Sequence, residues 1–136
     1  MKQLVVDAGP VIALFWSKDP DHDICKQGFN ELSVAHTSVL MPIPIIFEVY
    51  KWLLYRVSRT KALQALNAMD LSFHAIPISL MELEELRNLV HALDQWNGSL
   101  EDATIALSAK RYDCSLWTLN YRDLSIFSGL NFWTPS

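Results

Sequence analysis

Leu4-Val5-Val6-Asp7-Ala8-Gly9-Pro10 is the stretch that decides the fold. Three apolar residues in a row suit a short strand buried on both faces. Asp7-Ala8-Gly9-Pro10 stops it, and Pro10 suits the first turn of a helix, where its missing N–H and fixed φ do no harm. Strand, acid, then helix is the opening of an α/β unit.

The same alternation continues outward. A helix is expected from residue 10 to about 17, and another starts at Asp19-Pro20-Asp21 and runs to about 33. A second strand follows at 39–41. The next helix begins near Pro44 and reaches about 58, with Phe47, Tyr50, Leu54 and Val57 at helical spacing. Thr60 is placed to cap a helix to about 69. Residues 73–78 read as a strand. Ser79 caps a long helix carrying Leu80, Leu83, Leu86, Leu89 and Val90 on one face. Ser99 caps another carrying Ile105, Ala106 and Ala109. A fourth strand is expected at 115–119 and a last one at 131–133. Strands alternating with helices through short connections predict an α/β domain with a mainly parallel sheet of four to five strands, one domain over 1–136.

At 136 residues the chain has the length of one ordinary domain. With 51% hydrophobic residues it can fill a core without disulfides or a structural metal. Cys25 and Cys114 make no disulfide framework and the N-terminus has no signal-peptide pattern, so a reducing cytoplasm is the expected compartment. No apolar run approaches the roughly 18 uncharged residues of a membrane helix. A net charge of −4 argues against holding nucleic acid non-specifically over the whole surface. It leaves room for an enzyme acting on nucleic acid through a metal. Local basic groups (Lys51, Arg56, Arg59 and Lys61; Lys110, Arg111 and Arg122) read first as solvated helix faces and second as phosphate contacts.

Three acids stand at the edges of apolar segments: Asp7 after the first strand, Glu48 within Ile45-Ile46-Phe47-Glu48-Val49, and Asp102 before Ala103-Thr104-Ile105. A carboxylate withdrawn from water needs a partner. Each has a local one. Asp7 could cap the following helix, although position 9 is the more natural cap before Pro10. Glu48 has Lys51 at i+3, and such a pair contributes only about 0.2–0.5 kcal/mol. Ser99 and Asp102 have the spacing of a capping box, with Glu101 the expected solvent-facing dipole acid. In open parallel sheets ligands gather at the carboxyl ends of strands. Asp7, Glu48, Asp102, Asn120 and Asp123 can all meet there. Two carboxylates about 4 Å apart repel by roughly 4 kcal/mol at an effective dielectric of 20. A cluster of three therefore calls for a cation, and all-oxygen donors favour Mg²⁺ or Mn²⁺ over Zn²⁺. The chemistry that uses such a site is phosphodiester hydrolysis. His22, His36, His74 and His91 show no metal-ligand spacing, and no phosphate-binding glycine loop or nucleophile motif is present.

The motifs together resemble those of a PIN domain, and within that family the VapC-type toxin ribonucleases. Leu4-Val5-Val6-Asp7-Ala8-Gly9-Pro10-Val11-Ile12-Ala13-Leu14 is similar to the family's first strand, metal-binding Asp and helix. Ile45-Ile46-Phe47-Glu48-Val49 resembles the helix with its Glu, and Leu100-Glu101-Asp102-Ala103-Thr104-Ile105-Ala106 the segment with its third acid. Leu116-Trp117-Thr118-Leu119-Asn120-Tyr121-Arg122-Asp123-Leu124 resembles the closing Thr-x-Asp/Asn motif. The resemblance implies a three-layer α/β/α fold and a Mg²⁺- or Mn²⁺-dependent endoribonuclease. Asp7, Glu48 and Asp102 would be its metal residues, with Asn120 or Asp123 completing the catalytic set and Thr118 fixing the loop. It further implies an RNA substrate, a small antitoxin partner and a homodimer. Two positions depart from the pattern: Ala8 replaces a common Ser or Thr, and Asn120 replaces a common fourth acid. They motivate the alternative of a PIN-like module that binds RNA or protein with little catalysis. A phosphoacceptor receiver domain fits poorly, because Asp7 stands alone and the third strand leads into Pro77-Ile78-Ser79 rather than to an Asp.

Overall fold

A computed structural model describes residues 2–136. Strand β1 (Gln3–Val6) buries Leu4, Val5 and Val6 completely. Helices α1 (Ala8–Phe15) and α2 (His22–Val34) lead to β2 (Ser38–Pro42). Helices α3 (Ile43–Arg56) and α4 (Arg59–Ser72) lead to β3 (His74–Ile76). Helices α5 (Leu80–Ala92) and α6 (Leu100–Arg111) lead to β4 (Ser115–Trp117), followed by the single turn α7 (Tyr121–Leu124). No helix among the described residues is long and apolar enough to cross a membrane.

All strand pairs are parallel, and the sheet order is β3-β2-β1-β4. The chain first steps outward from β1 to β2 to β3, then returns across the sheet to place β4 on the other side of β1. Right-handed crossovers then put α1 to α4 on one face and α5 and α6 on the other, the three layers the resemblance implies. The reversal also creates a switch point between β1 and β4, where the strand ends part and a ligand crevice forms.

The structure corrects several expected boundaries. Helix α1 begins at Ala8, so Asp7 and not Gly9 is its N-cap. Its side-chain oxygen can accept from the backbone, which glycine cannot do. Helix α2 starts at His22, after the turn through Asp19 to Asp21. Ser58, not Thr60, caps α4 by accepting from Lys61 N at 3.1 Å. The fifth strand reduces to one parallel bridge between Leu116 and Phe132.

Two apolar stripes differ from expectation. On α3 the buried residues are Ile45, Val49 and Leu53, while Phe47 is 70% exposed. Both stripes are apolar, so periodicity alone could not choose between them. On α5 only Leu86 is buried, and Leu80 is 86% exposed. The stripe on α6 is as expected, with Ile105, Ala106 and Ala109 all buried. The core closes around Trp117, whose ring meets Phe29 at 4.6 Å and Trp133 at 4.9 Å.

Candidate functional site

The switch point between β1 and β4 carries a continuous hydrogen-bond chain. Asp7 ends β1 and is 6% exposed. Its Oδ1 accepts from Ala8 N at 2.8 Å, and its Oδ2 accepts from the Thr118 hydroxyl at 2.8 Å. Thr118, just past β4, accepts in turn from Asn120 N at 2.9 Å. The Asn120 amide donates from Nδ2 to Asp102 Oδ1 at 3.3 Å and to Asp123 Oδ2 at 3.0 Å. Asp102 Oδ2 accepts from Ser99 N at 2.8 Å, while Asp102 N donates to Ser99 Oγ at 3.1 Å.

The capping roles weighed as local explanations for Asp7 and Asp102 are therefore real. Each acid spends one oxygen on its helix and the other on the segment after β4, Asp7 on Thr118 and Asp102 on Asn120. A carboxylate oxygen has two acceptor sites, so both acids retain capacity for a further ligand. The turn after β4 is fixed from outside by Trp96, whose Nε1 donates to Asp123 O at 2.9 Å. Arg122 lies 3.7 Å from Asp123 but is 89% exposed, so this pair contributes little.

Glu48 enters from α3 and differs from the other acids. It makes no hydrogen bond and no ion pair among the described residues; the expected Lys51 contact does not form. Burial pushes its carboxyl up to about 8, and the charges of Asp7, Glu101 and Asp102 add to the rise. Asp7 is also raised, by burial first, against the lowering hydrogen bonds from Thr118 and Ala8. The negative charges of Asp102 and Glu101 push it the same way.

Glu101 is the residue that sequence reasoning missed. It was expected to face solvent at the start of α6, yet it is half-buried and lines the same cleft as Glu48. Its only signal was its place beside Asp102, which any helix N-terminus can share. The cleft has a volume of about 700 Å³ and is walled along α3 by Phe47, Lys51, Trp52 and Tyr55.

The structure thus brings Asp102, Asn120 and Asp123 into hydrogen-bond contact, joins Asp7 to them through Thr118, and sets Glu48 within electrostatic reach. Among the described residues, no three His, Cys, Asp or Glu side chains form a ready-made chelating group. The charged donors on offer are carboxylate oxygens, and among the described residues no cation is paired to Asp7, Glu48, Glu101 or Asp102.

Comparison with known proteins gives a family match. The profile of the PIN domain matches residues 4–127. No curated protein sequence matches the chain. Among solved structures, VapC20 of Mycobacterium tuberculosis, described as a Sarcin-Ricin loop cleaving toxin, superposes with a TM-score of 0.82 at 18% identity, over 97% of this chain and 99% of that one. VapBC2 from Rickettsia felis, bound to a DNA fragment from its promoter, gives 0.73 at 13% identity over 96% and 97%. A toxin–antitoxin complex from Klebsiella pneumoniae gives 0.64 at 20% identity over 93% and 94%. At these identities the likeness is one of fold.

Proposed function

Since the chain belongs to the PIN-domain family, we propose that it is a divalent-metal-dependent endoribonuclease and the toxin of a toxin–antitoxin pair. The observation that carries this reading is the uncompensated carboxylate cluster at the switch point. Glu48 in particular has no hydrogen-bond or ion-pair partner among the described residues and is half-buried within electrostatic reach of other acids. Such a group is costly unless a cation completes it.

The donor set fits Mg²⁺ or Mn²⁺. These ions take oxygen ligands, and Mg²⁺ commonly uses one or two carboxylates with several waters. A closed three-carboxylate chelate is therefore not required. Asp7, Glu48 and Asp102 are the residues that would hold the ion. When bound, it would supply charge to stabilise the phosphodiester transition state and make a water more acidic. The protein's own part is positioning. Thr118 holds the Asp7 carboxylate in one orientation. Asn120 ties the Asp102 carboxylate to Asp123 and so sets the loop after β4 against α6. Ala8 donates its backbone N–H to Asp7, as a Ser or Thr there also would, and brings no hydroxyl of its own. The toxin reading, with a small antitoxin partner and a homodimer, draws on the whole-chain likeness to toxin structures, one of them a toxin–antitoxin complex. Two free cysteines suit a reducing cytoplasm.

The test is RNA cleavage with Mg²⁺ or Mn²⁺ by the wild type and by Asp102→Asn. Asparagine can still accept from Ser99 N through its one oxygen while it loses the charge, and an unchanged thermal melt checks that the fold is kept. Cleavage should fall by roughly a hundredfold or more. Undiminished cleavage contradicts the assignment. A second reading, a binding module with little catalysis, is favoured by the Asn120 amide standing where many members carry an acid. Such a module should take up no Mn²⁺ in an Asp7-dependent way.

A further inference from the structure

Folding does not cover every large apolar side chain of α3. Ile45, Val49 and Leu53 fill the core, yet Phe47 and Tyr55 remain 70% and 75% exposed. A contiguous apolar patch left in water marks a contact surface. Lys51 lies between them, one turn from each. All three line the cleft that also holds Glu48 and Glu101, so the face is continuous with the acidic site. At its far end the Arg56 guanidinium stands over the Trp52 ring, 5.8 Å from its centroid. Trp52 is itself braced by Trp16 at 5.4 Å. Neither Lys51 nor Arg56 has an ion-pair partner among the described residues. In a chain of net charge −4, two unpaired cations beside an acidic pocket call for an anionic occupant.

We infer that this face of α3 is a subsite for an unpaired stretch of RNA: Phe47 and Tyr55 stack on bases, and Lys51 and Arg56 meet phosphates. The inference rests on the nuclease reading for its choice of polymer. Rings accept any base through its face, whereas a duplex keeps those faces within its own stack. From Glu48 to Arg56 is about 12 Å of helix at 1.5 Å per residue. That length spans roughly three stacked nucleotides at about 3.4 Å each. A strand lying here would pass directly from the rings to the carboxylates. A docked protein helix would also cover the rings, but it gives no reason for unpaired cations along the same wall.

The test is fluorescence anisotropy with a labelled single-stranded RNA of about 12 nucleotides, in EDTA so that no cleavage occurs. The same strand in duplex and an abasic strand of equal length serve as comparisons. The wild type should prefer the single strand to both. Phe47→Ala and Tyr55→Ala should each weaken it about five- to a hundredfold and leave abasic binding almost unchanged. Lys51→Ala and Arg56→Ala should weaken both strands and flatten the log–log salt slope by about 0.7 each. All four residues are exposed, so unchanged thermal melts are expected. Equal binding of the single strand by the wild type and the aromatic variants overturns the inference. So does an equal loss on the abasic strand, and so does a change confined to self-association in sedimentation, which would make the face a protein interface. If Mn²⁺ then supports cleavage although the four variants bind normally, the inference fails and the nuclease reading stands. If binding depends on the rings but no cleavage follows, the subsite stands and the nuclease reading fails.

Discussion

Thr118 does two things with one hydroxyl. It donates to Asp7 Oδ2 and accepts from Asn120 N, so it couples the end of β1 to the loop after β4. Valine has the same shape and neither hydrogen-bonding function. Thr118→Val should destabilise the protein by about 1–3 kcal/mol, the cost of a buried carboxylate and an N–H left without that partner. Thr118→Ser should recover most of it, as read by urea unfolding. The Asp7 carboxyl should also rise further, because this hydrogen bond is what lowers it against burial. At this scale the sequence was informative where an acid interrupts apolar residues, as at Asp7, Glu48 and Asp102. It was silent on Glu101, whose position is ordinary for a helix start and whose place in the cleft beside α3 is set by tertiary structure. Nor could it show that a cap and a site acid are one residue, since each carboxylate has an oxygen for each role.

Among the elements, α2 is seated by an absence. A Cβ built on Gly28 would lie 2.5 Å from the Trp117 ring and 2.7 Å from Pro135. Trp117 cannot easily shift, since it is wedged between Phe29 and Trp133. Gly28→Ala should therefore cost about 1–3 kcal/mol by overpacking, despite alanine's better helix propensity. A lowered midpoint in thermal unfolding would record it, and an unchanged or raised midpoint would mean the aromatic cluster yields. Strand-and-helix order was legible because the strands are short and mostly apolar, and are closed by Asp7, by Pro42 and Pro77, or by Thr118. Helix faces were less so. On α3 the stripe through Phe47 and the stripe through Ile45 have equal claims by periodicity, and only the sheet beneath decides. On α5 a run of leucines promised a buried face, but only Leu86 is fully buried and Leu89 packs partly buried against the core, and Arg111 ties the helix to α6 through Glu82 and Glu85 at 3.5 and 3.0 Å.

For the molecule as a whole, the acidic cluster is a stored cost that varies with pH. Glu48 has an ordinary value of 4.5 and is pushed up to about 8 in the fold. Because the folded value is the higher, its contribution to stability is full below about 4.5 and is lost as pH rises through about 8. Asp7 shifts in the same direction. Metal-free protein should therefore melt at a lower temperature at pH 8 than at pH 5, and Glu48→Gln should flatten that dependence. A steep fall that survives Glu48→Gln would place its origin elsewhere. A divalent cation should reverse the trend, since it binds the ionised carboxylates of the fold and stabilises by mass action. The measurement that tests the central claim most directly is a calorimetric titration of Mn²⁺ into the wild type and Asp7→Asn at pH 7, in two buffers of different ionisation enthalpy. The account predicts a saturable site in the wild type that releases about one proton on binding, and its loss in Asp7→Asn. No saturable binding, or equal binding by the two proteins, would contradict it.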